Sequence, residues 1–248
     1  MSLTIVVSHY KENLDWLKKS KFPIILVDKV GSDSSWLEPS YIVEKNLAKE
    51  DTSYLKYIIE NYDNLPDHVA FIHGHETALH QCFSRPLLEV IENANISKYD
   101  FISLNNVVRF YNFINEPEKK FTQNVEMWDI YEFPWEKPKI GENILATPHG
   151  QFIVSKKAIL RNPKSLYQRW YDIIFEKDGG RYPLGSPQED WTTYNTETFF
   201  EMFFHYIFGE PLICRIMPDW FLFDPPEPVR VWAPYGYQEK DPQYLVFK

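Results

Sequence analysis

Cysteine is nearly absent from this 248-residue sequence, and the two that occur, Cys82 and Cys214, are too few for a disulfide framework or a thiolate zinc site. Their scarcity fits a reducing compartment and free thiols. Glycine is scarce as well, at 9 residues. No glycine-rich phosphate loop, dinucleotide fingerprint or Gly-x-Ser-x-Gly elbow occurs. No apolar run approaches the roughly 20 residues that a membrane helix needs. A positive excess is missing too: the formal net charge is -9, so nucleic acid is not an expected partner. The opening MSLTIVVSHY carries no basic stretch before its short apolar run, so no secretory leader is expected and a cytoplasmic location is.

What is present is the composition of a soluble globular protein, 44% hydrophobic and 25% charged, of a length that α/β folds commonly use as one domain, here 1–248. Aromatics reach 17%. They have two readings: core packing with polar tips at the surface, or platforms that stack on sugars and bases. Along the first hundred residues, short β-branched runs (Thr4 to Val7, Phe22 to Val27, His68 to Ile72) alternate with helical patterns. DTSYLKYIIENYDNLPD places Tyr54, Leu55, Ile58, Ile59 and Tyr62 on one stripe, with Asp51 or Thr52 expected as cap. SRPLLEVIENA puts Pro86 near a helix start, and YDFISL reads as a strand. Such alternation predicts a mostly parallel sheet flanked by helices, with ligands at the carboxyl ends of the strands. The polar clusters Ser8 to Tyr10, Asp28, and His73 to Glu76 fall at those ends.

Residues 110 to 148 mix proline, tryptophan and charge and read as a surface excursion. HGQFIVSKKAIL then reads as a strand entering a helix, NPKSLYQRWYDIIF as a helix capped by Asn162, and TETFFEMFFHYIFG as a helix stopped by Gly209. The tail from Pro211, rich in proline and aromatics, predicts an extended wrap with little regular structure.

FIHGHETALHQ concentrates His73, His75, Glu76 and His80. It is not a His-Glu-x-x-His zinc motif, because His75 and His80 are five apart, roughly 140° around a helix, and cannot share a face. Glu197, Glu201 and His205 recur every fourth residue on one helical stripe, which suits a solvent-facing edge or part of a metal site. Thr198 with Glu201 also fits a capping box that would start that helix after Glu197. Glu189 and Asp190, in a loop before this helix, are either an exposed acidic turn or a general base. His9, His149 and His205 taken singly read first as structural histidines.

The order of VVSHYKENLDWL, a strand ending in Asp28, NYDNLPD, FIHGHE, QFIVSKKAIL and FFEMFFHYIFGE resembles GT-A glycosyltransferases. The individual phrases resemble a glycosyltransferase-like family filed as a domain of unknown function, from Thr4 to Glu210. The resemblance implies a GT-A-like (Rossmann-like) α/β fold, with a nucleotide-binding half (1–109), an acceptor and catalytic half (110–210) and the tail (211–248). It implies a glycosyltransferase of glycan biosynthesis, with a nucleotide-sugar donor and a glycan or glycoprotein acceptor. Ser8, His9, Tyr10 and Asp28 would lie by the nucleotide base and ribose, and Gln151 by the sugar. His73-Gly74-His75 stands where that fold places an Asp-x-Asp motif holding a divalent cation on the diphosphate. The resemblance therefore implies no obligatory metal, with Mn²⁺ or Mg²⁺ still possible through Glu76. Asp190 would be the base, Glu189 its neighbour and Glu197 the reserve, while Arg109 would meet phosphate or form a surface salt bridge. Two other readings stay open: a metal-dependent hydrolase using His73, His75, Glu76 and His80, and a non-catalytic glycan-binding module.

Overall fold

A computed structural model describes residues 1–30, 36–77, 85–105, 107–112, 128–139, 143–176, 196–212, 229–233 and 236–240, with backbone alone at 107–112, 143–144, 196–198, 229–233 and 236–240. Its strands are β1 (Leu3–His9), β2 (Ile24–Lys29), β3 (Tyr41–Val43), β4 (His68–His73), β5 (Phe101–Ser103), β6 (Val107–Asn112), β7 (Asn143–Ala146), β8 (Phe152–Ser155), β9 (Val229–Ala233) and β10 (Gly236–Lys240). Its helices are α1 (Lys49–Asn61), α2 (Leu87–Asn93), α3 (Lys156–Ile159), α4 (Lys164–Glu176) and α5 (Thr196–Ile207), with a 3-10 turn at Asp15–Lys19.

The main sheet has the order β3-β2-β1-β4-β8-β5. The four strands from β3 to β4 are mutually parallel, and β8 enters antiparallel between β4 and β5. Successive side chains of a strand point to opposite faces, and the sequence uses both. Val6, Val69, Phe71, Phe101, Phe152 and Val154 face one core, together with α1, α4 and α5. Leu3, Ile5, Val7, Ala70, Ile72, Ile102 and Ile153 face the other, covered by Leu14, Trp16, Leu17 and α2. Strands buried on both faces explain the continuous apolar runs of β1, β2 and β4.

Register places the polar residues. Ser8 pairs with His73 of β4, and His9 pairs with Asp28 of β2, so the polar ends of three strands line up on one edge of the sheet.

Among the described residues, many of the aromatics are core. Phe152 packs on Phe71, Phe101, Phe204 and Phe208. Trp128, Tyr131 and Phe133, from within the stretch read as a surface excursion, pack against Phe199 of α5, and Phe133 stacks on Trp170 of α4 at 4.8 Å. Trp170 Nε1 donates to the Tyr131 carbonyl and Trp128 Nε1 to the Trp135 carbonyl, which satisfies the polar tips of these buried indoles.

Four local expectations change. Residues 110–148 are not merely a loop, because β6 and β7 pair antiparallel. The tail contributes β9 and β10, which complete a four-stranded sheet in the order β10-β9-β6-β7. Main-chain pairing with β6 gives this proline-rich segment a regular partner that its composition does not reveal. The first helix begins at Lys49, ahead of Asp51 and Thr52, and its N-cap is Ala48 in the left-handed region. Helix α5 begins at Thr196, so the capping box expected to start it after Glu197 does not set its boundary.

Phe152, 2% exposed, joins aromatic side chains of β4, β5 and α5. Phe152→Ala is expected to cost about 3–5 kcal/mol, read as a lower urea midpoint with an unchanged slope. A loss under about 1 kcal/mol would show that this cluster does not hold the sheet to its helices.

Candidate functional site

A cavity of about 420 Å³ opens at the carboxyl edge of β1, β2 and β4 and is walled by residues from those strand ends, the start of α1, the turn before β8, and α5. Ser8, His9, Tyr10, His73 and His75, assigned to the donor from sequence, line it together. Glu12, Lys29, Asn46, Lys49, Glu50, His149 and Glu201 complete the lining. Sequence reasoning assigns none of these seven to the donor. Glu201 carries a signal, as a member of the four-residue stripe, and His149 reads from sequence only as a structural histidine. Glu50 gives none, since an acidic residue in a first helical turn is ordinary.

Each strand-end histidine faces a carboxylate. His9 Nδ1 is 2.9 Å from Asp28 Oδ1, His73 Nε2 is 3.2 Å from Glu50 Oε1, and His75 Nε2 is 3.8 Å from Glu12 Oε1. The register of β1 against β2 creates the first pair, because His9 and Asp28 are neighbours across the ladder. His9 is 1% exposed, and its other ring nitrogen lies 3.0 Å from the Glu12 carbonyl. Asp28 therefore acts through His9 and stands behind the cavity wall.

Glu12 organises the loop after β1. Its carboxylate accepts from the backbone N–H groups of Tyr10 and Lys11 at 2.8 and 3.1 Å. Burial alone would raise this carboxyl, but those N–H groups and the nearby His75 outweigh it and hold the pKa below its ordinary value. Trp16 Nε1 donates to the Gly74 carbonyl at 3.1 Å and ties this loop to the one after β4. Gly74 is required there: an added Cβ would lie 2.9 Å from both Cβ and Oε2 of Glu12.

Glu50 is 6% exposed, in a first helical turn whose next three residues, Asp51, Thr52 and Ser53, are also buried. Desolvation pushes its carboxyl up; the charge of His73, contact with its ring and the helix's own N–H pull it down further, so the group stays ionised well below the usual carboxylate range. Ser53 Oγ accepts from Ser8 Oγ at 2.9 Å and joins this turn to β1. Tyr54 is held protonated well above its ordinary pKa by burial first, then by the negative charges of Glu50, Asp51 and Glu201.

Gln151 is 1% exposed and supports the wall from behind: its Oε1 accepts the backbone N–H of His73 at 3.1 Å, and its Nε2 donates to Asn105 Oδ1 at 3.2 Å. Glu76 is exposed and off the cavity. Arg109 sits on β6 in the second sheet, paired with Ala146 and Trp232, and its side chain lies outside the described residues. So do Glu189, Asp190 and His80 entirely, and the side chain of Glu197.

The Glu197-Glu201-His205 stripe does not face solvent as a unit. Glu201 lines the cavity, whereas His205 is 1% exposed with Nε2 3.3 Å from the Leu212 carbonyl. Burial pushes the His205 pKa down to about 4.

As a place for Mg²⁺ or Mn²⁺ the strand end after β4 is a poor fit. Its two imidazoles each already face a carboxylate, hard cations prefer oxygen donors, and Glu76 lies off the cavity. Among the described residues no group of three or more His, Cys, Asp or Glu could hold a metal ion. No helix among them is long and apolar enough to cross a membrane.

The family model described as "Protein of unknown function (DUF3431)" matches residues 4–218. The chain belongs to this family. No curated protein matches it. For this family member the matched span contains every described residue lining the cavity.

Two outcomes are expected of this geometry. Gly150 has φ +57°, and a Cβ there would lie 2.5 Å from Glu50 Oε1, so Gly150→Ala is expected to destabilise the fold by about 1–3 kcal/mol in urea unfolding. His205, neutral in the fold and ordinary when unfolded, leaves stability intact above pH 6.5 and drains it as pH falls from 6.5 to about 4, by roughly 3 kcal/mol in all. His205→Gln should flatten that segment of the stability profile relative to the unaltered chain. Parallel profiles would contradict the burial of a neutral imidazole.

Proposed function

We propose that this protein is a glycosyltransferase with a GT-A-like fold, which takes a sugar from a nucleotide-sugar donor and passes it to a glycan or glycoprotein acceptor. One observation carries the reading: at the carboxyl edge of a mostly parallel sheet, the register brings Ser8, His9 and His73 together with Tyr10, Lys29 and Lys49 around one polar cavity. Open α/β sheets bind ligands at this edge. Lysines and imidazoles suit the anionic part of a nucleoside diphosphate. Lys29, 2% exposed and bonded to Asn46 Oδ1 at 3.0 Å, gives that charge a fixed position.

The chemistry asked of the chain is limited. The acceptor hydroxyl attacks the anomeric carbon, the bond from that carbon to the diphosphate oxygen breaks, and a carboxylate takes the hydroxyl proton. Asp190, with Glu189 beside it and Glu197 as reserve, is the assignment from sequence. Glu201 is the further candidate, because α5 carries it to the cavity wall. The diphosphate leaves beside Lys29 and Lys49 without a step that requires a metal.

The cavity's carboxylate-backed histidines do not favour the hydrolase reading, and the packing of the described aromatics into the core gives the glycan-binding module no support.

A thermal-shift screen of nucleoside diphosphates and their sugars, with and without Mn²⁺, tests the reading. A ligand at about 100 times its Kd is expected to raise Tm by about 5–10 °C, with Mn²⁺ adding little. Glycans alone shifting Tm, with every nucleotide inert, would sink the transferase assignment. With a donor in hand, Asp190→Asn and Glu201→Gln separate the candidate bases: the base variant loses about 10²-fold or more in kcat while donor affinity holds.

A further inference from the structure

We propose that Glu50 is a positioning residue whose task is to hold the His73 imidazole against the anionic diphosphate of the ligand. This rests on the nucleotide-sugar reading of the cavity. The pair is built into the wall: both side chains line the cavity, His73 16% exposed and Glu50 7% exposed. The ring is the more accessible of the two.

The ring is fixed from several directions. The β4 backbone places His73 at the sheet edge beside Ser8, and Gln151 accepts its N–H. Gln151 is held in turn by Asn105, whose Nδ2 donates to the Pro148 carbonyl and so clamps the turn before β8. Glu50 closes the remaining side at 3.2 Å. Both segments that touch Glu50 sit in unfavourable backbone regions. Ala48 and Lys49 just before it have φ +47° and +37°, and His149 before Gly150 has φ +78°. Non-glycine residues resist such conformations, and strain of this kind persists where the surrounding structure imposes it, most often at functional sites. Gly150 is the residue that leaves room for the Glu50 carboxylate.

A buried carboxylate opposite a histidine is also a costly way to hold a sheet edge, since packed apolar residues of similar volume would do it as well or better. Its presence on a cavity wall fits a task that an apolar pair cannot perform. The 3.2 Å approach of Glu50 Oε1 to His73 Nε2 is a close electrostatic contact rather than an aligned hydrogen bond, so it is the charge of the carboxylate that bears on the ring. In the complex the ring lies between the Glu50 carboxylate and a phosphate oxygen. No bond is made or broken by the pair.

The test is calorimetric binding of inorganic pyrophosphate to the full chain, the Glu50→Gln and His73→Gln variants and the double variant, at one pH and salt concentration. Nitrogen-15 imidazole spectra of each ligand-free protein accompany it. Each single variant is expected to bind pyrophosphate roughly 10- to 100-fold more weakly. The double variant should lose no more than His73→Gln alone, because Glu50 acts through the ring. The His73 ring signals should change in Glu50→Gln while those of buried His205 stay put. Glu50→Gln binding pyrophosphate as tightly as the unaltered chain, or losses that simply add in the double variant, overturns the positioning role and leaves the transferase reading standing. If the unaltered chain binds neither pyrophosphate nor any nucleoside diphosphate, both fall. Should Glu50→Gln fail to fold, His73→Gln decides: unchanged pyrophosphate affinity in that variant overturns the proposal.

Discussion

A negative charge buried at the start of a helix is costly, and in this protein the opening of α1 is arranged around one. Glu50 is tolerable there because the helix's own N–H groups face it, His73 approaches it from β4, and Gly150 leaves it space. Each of those conditions reaches into a different part of the chain. The helix must start one turn early, through two residues in the left-handed region. The strand β4 must end at His73 in register with Ser8. The turn before β8 must pass close enough that a side chain at position 150 would collide. Losing the histidine or the helix N–H would leave a buried charge without its compensation, and filling position 150 would collide with it.

The same logic organises the rest of the strand edge. Asp28 with His9 and Glu12 with His75 repeat the pairing at decreasing burial, from a histidine 1% exposed to one whose side chain is 54% exposed. The aromatic core supplies the rigidity behind them. Phe71 and Phe152 lie on adjacent strands, and α1 and α5 both pack on that layer through Tyr54 and Phe204. The elements that carry Glu50 and Glu201 are thus anchored to one another through rings.

Much of the fold was legible because hydrophobic periodicity is a local property. The two-sided apolar runs of β1, β2 and β4, the stripe of α1 and the glycine stop at Gly209 could all be read without knowing any partner. The antiparallel entry of β8 and the second sheet could not, because strand direction and pairing depend on residues far away in sequence. The site divides in the same way. Ser8, His9, Tyr10, His73 and His75 were visible as polar residues at strand ends. Gln151 was visible too, but stands behind the wall rather than on it. Lys49, Glu50 and His149 were not legible as site residues, since nothing local distinguishes a buried helix-start carboxylate from an exposed one.

The amino-acid sequence by itself determined the strands β1, β2, β4, β5 and β8, the helical stripes beside them, and that polar residues gather where strands end, because those properties arise from side-chain chemistry at spacings of two and about 3.6 residues. Only the tertiary structure decided which carboxylate faces which histidine. Those pairs join residues 9 with 28, 50 with 73 and 12 with 75, and their distances are set by strand register and helix packing, for which no short stretch of sequence carries a signal.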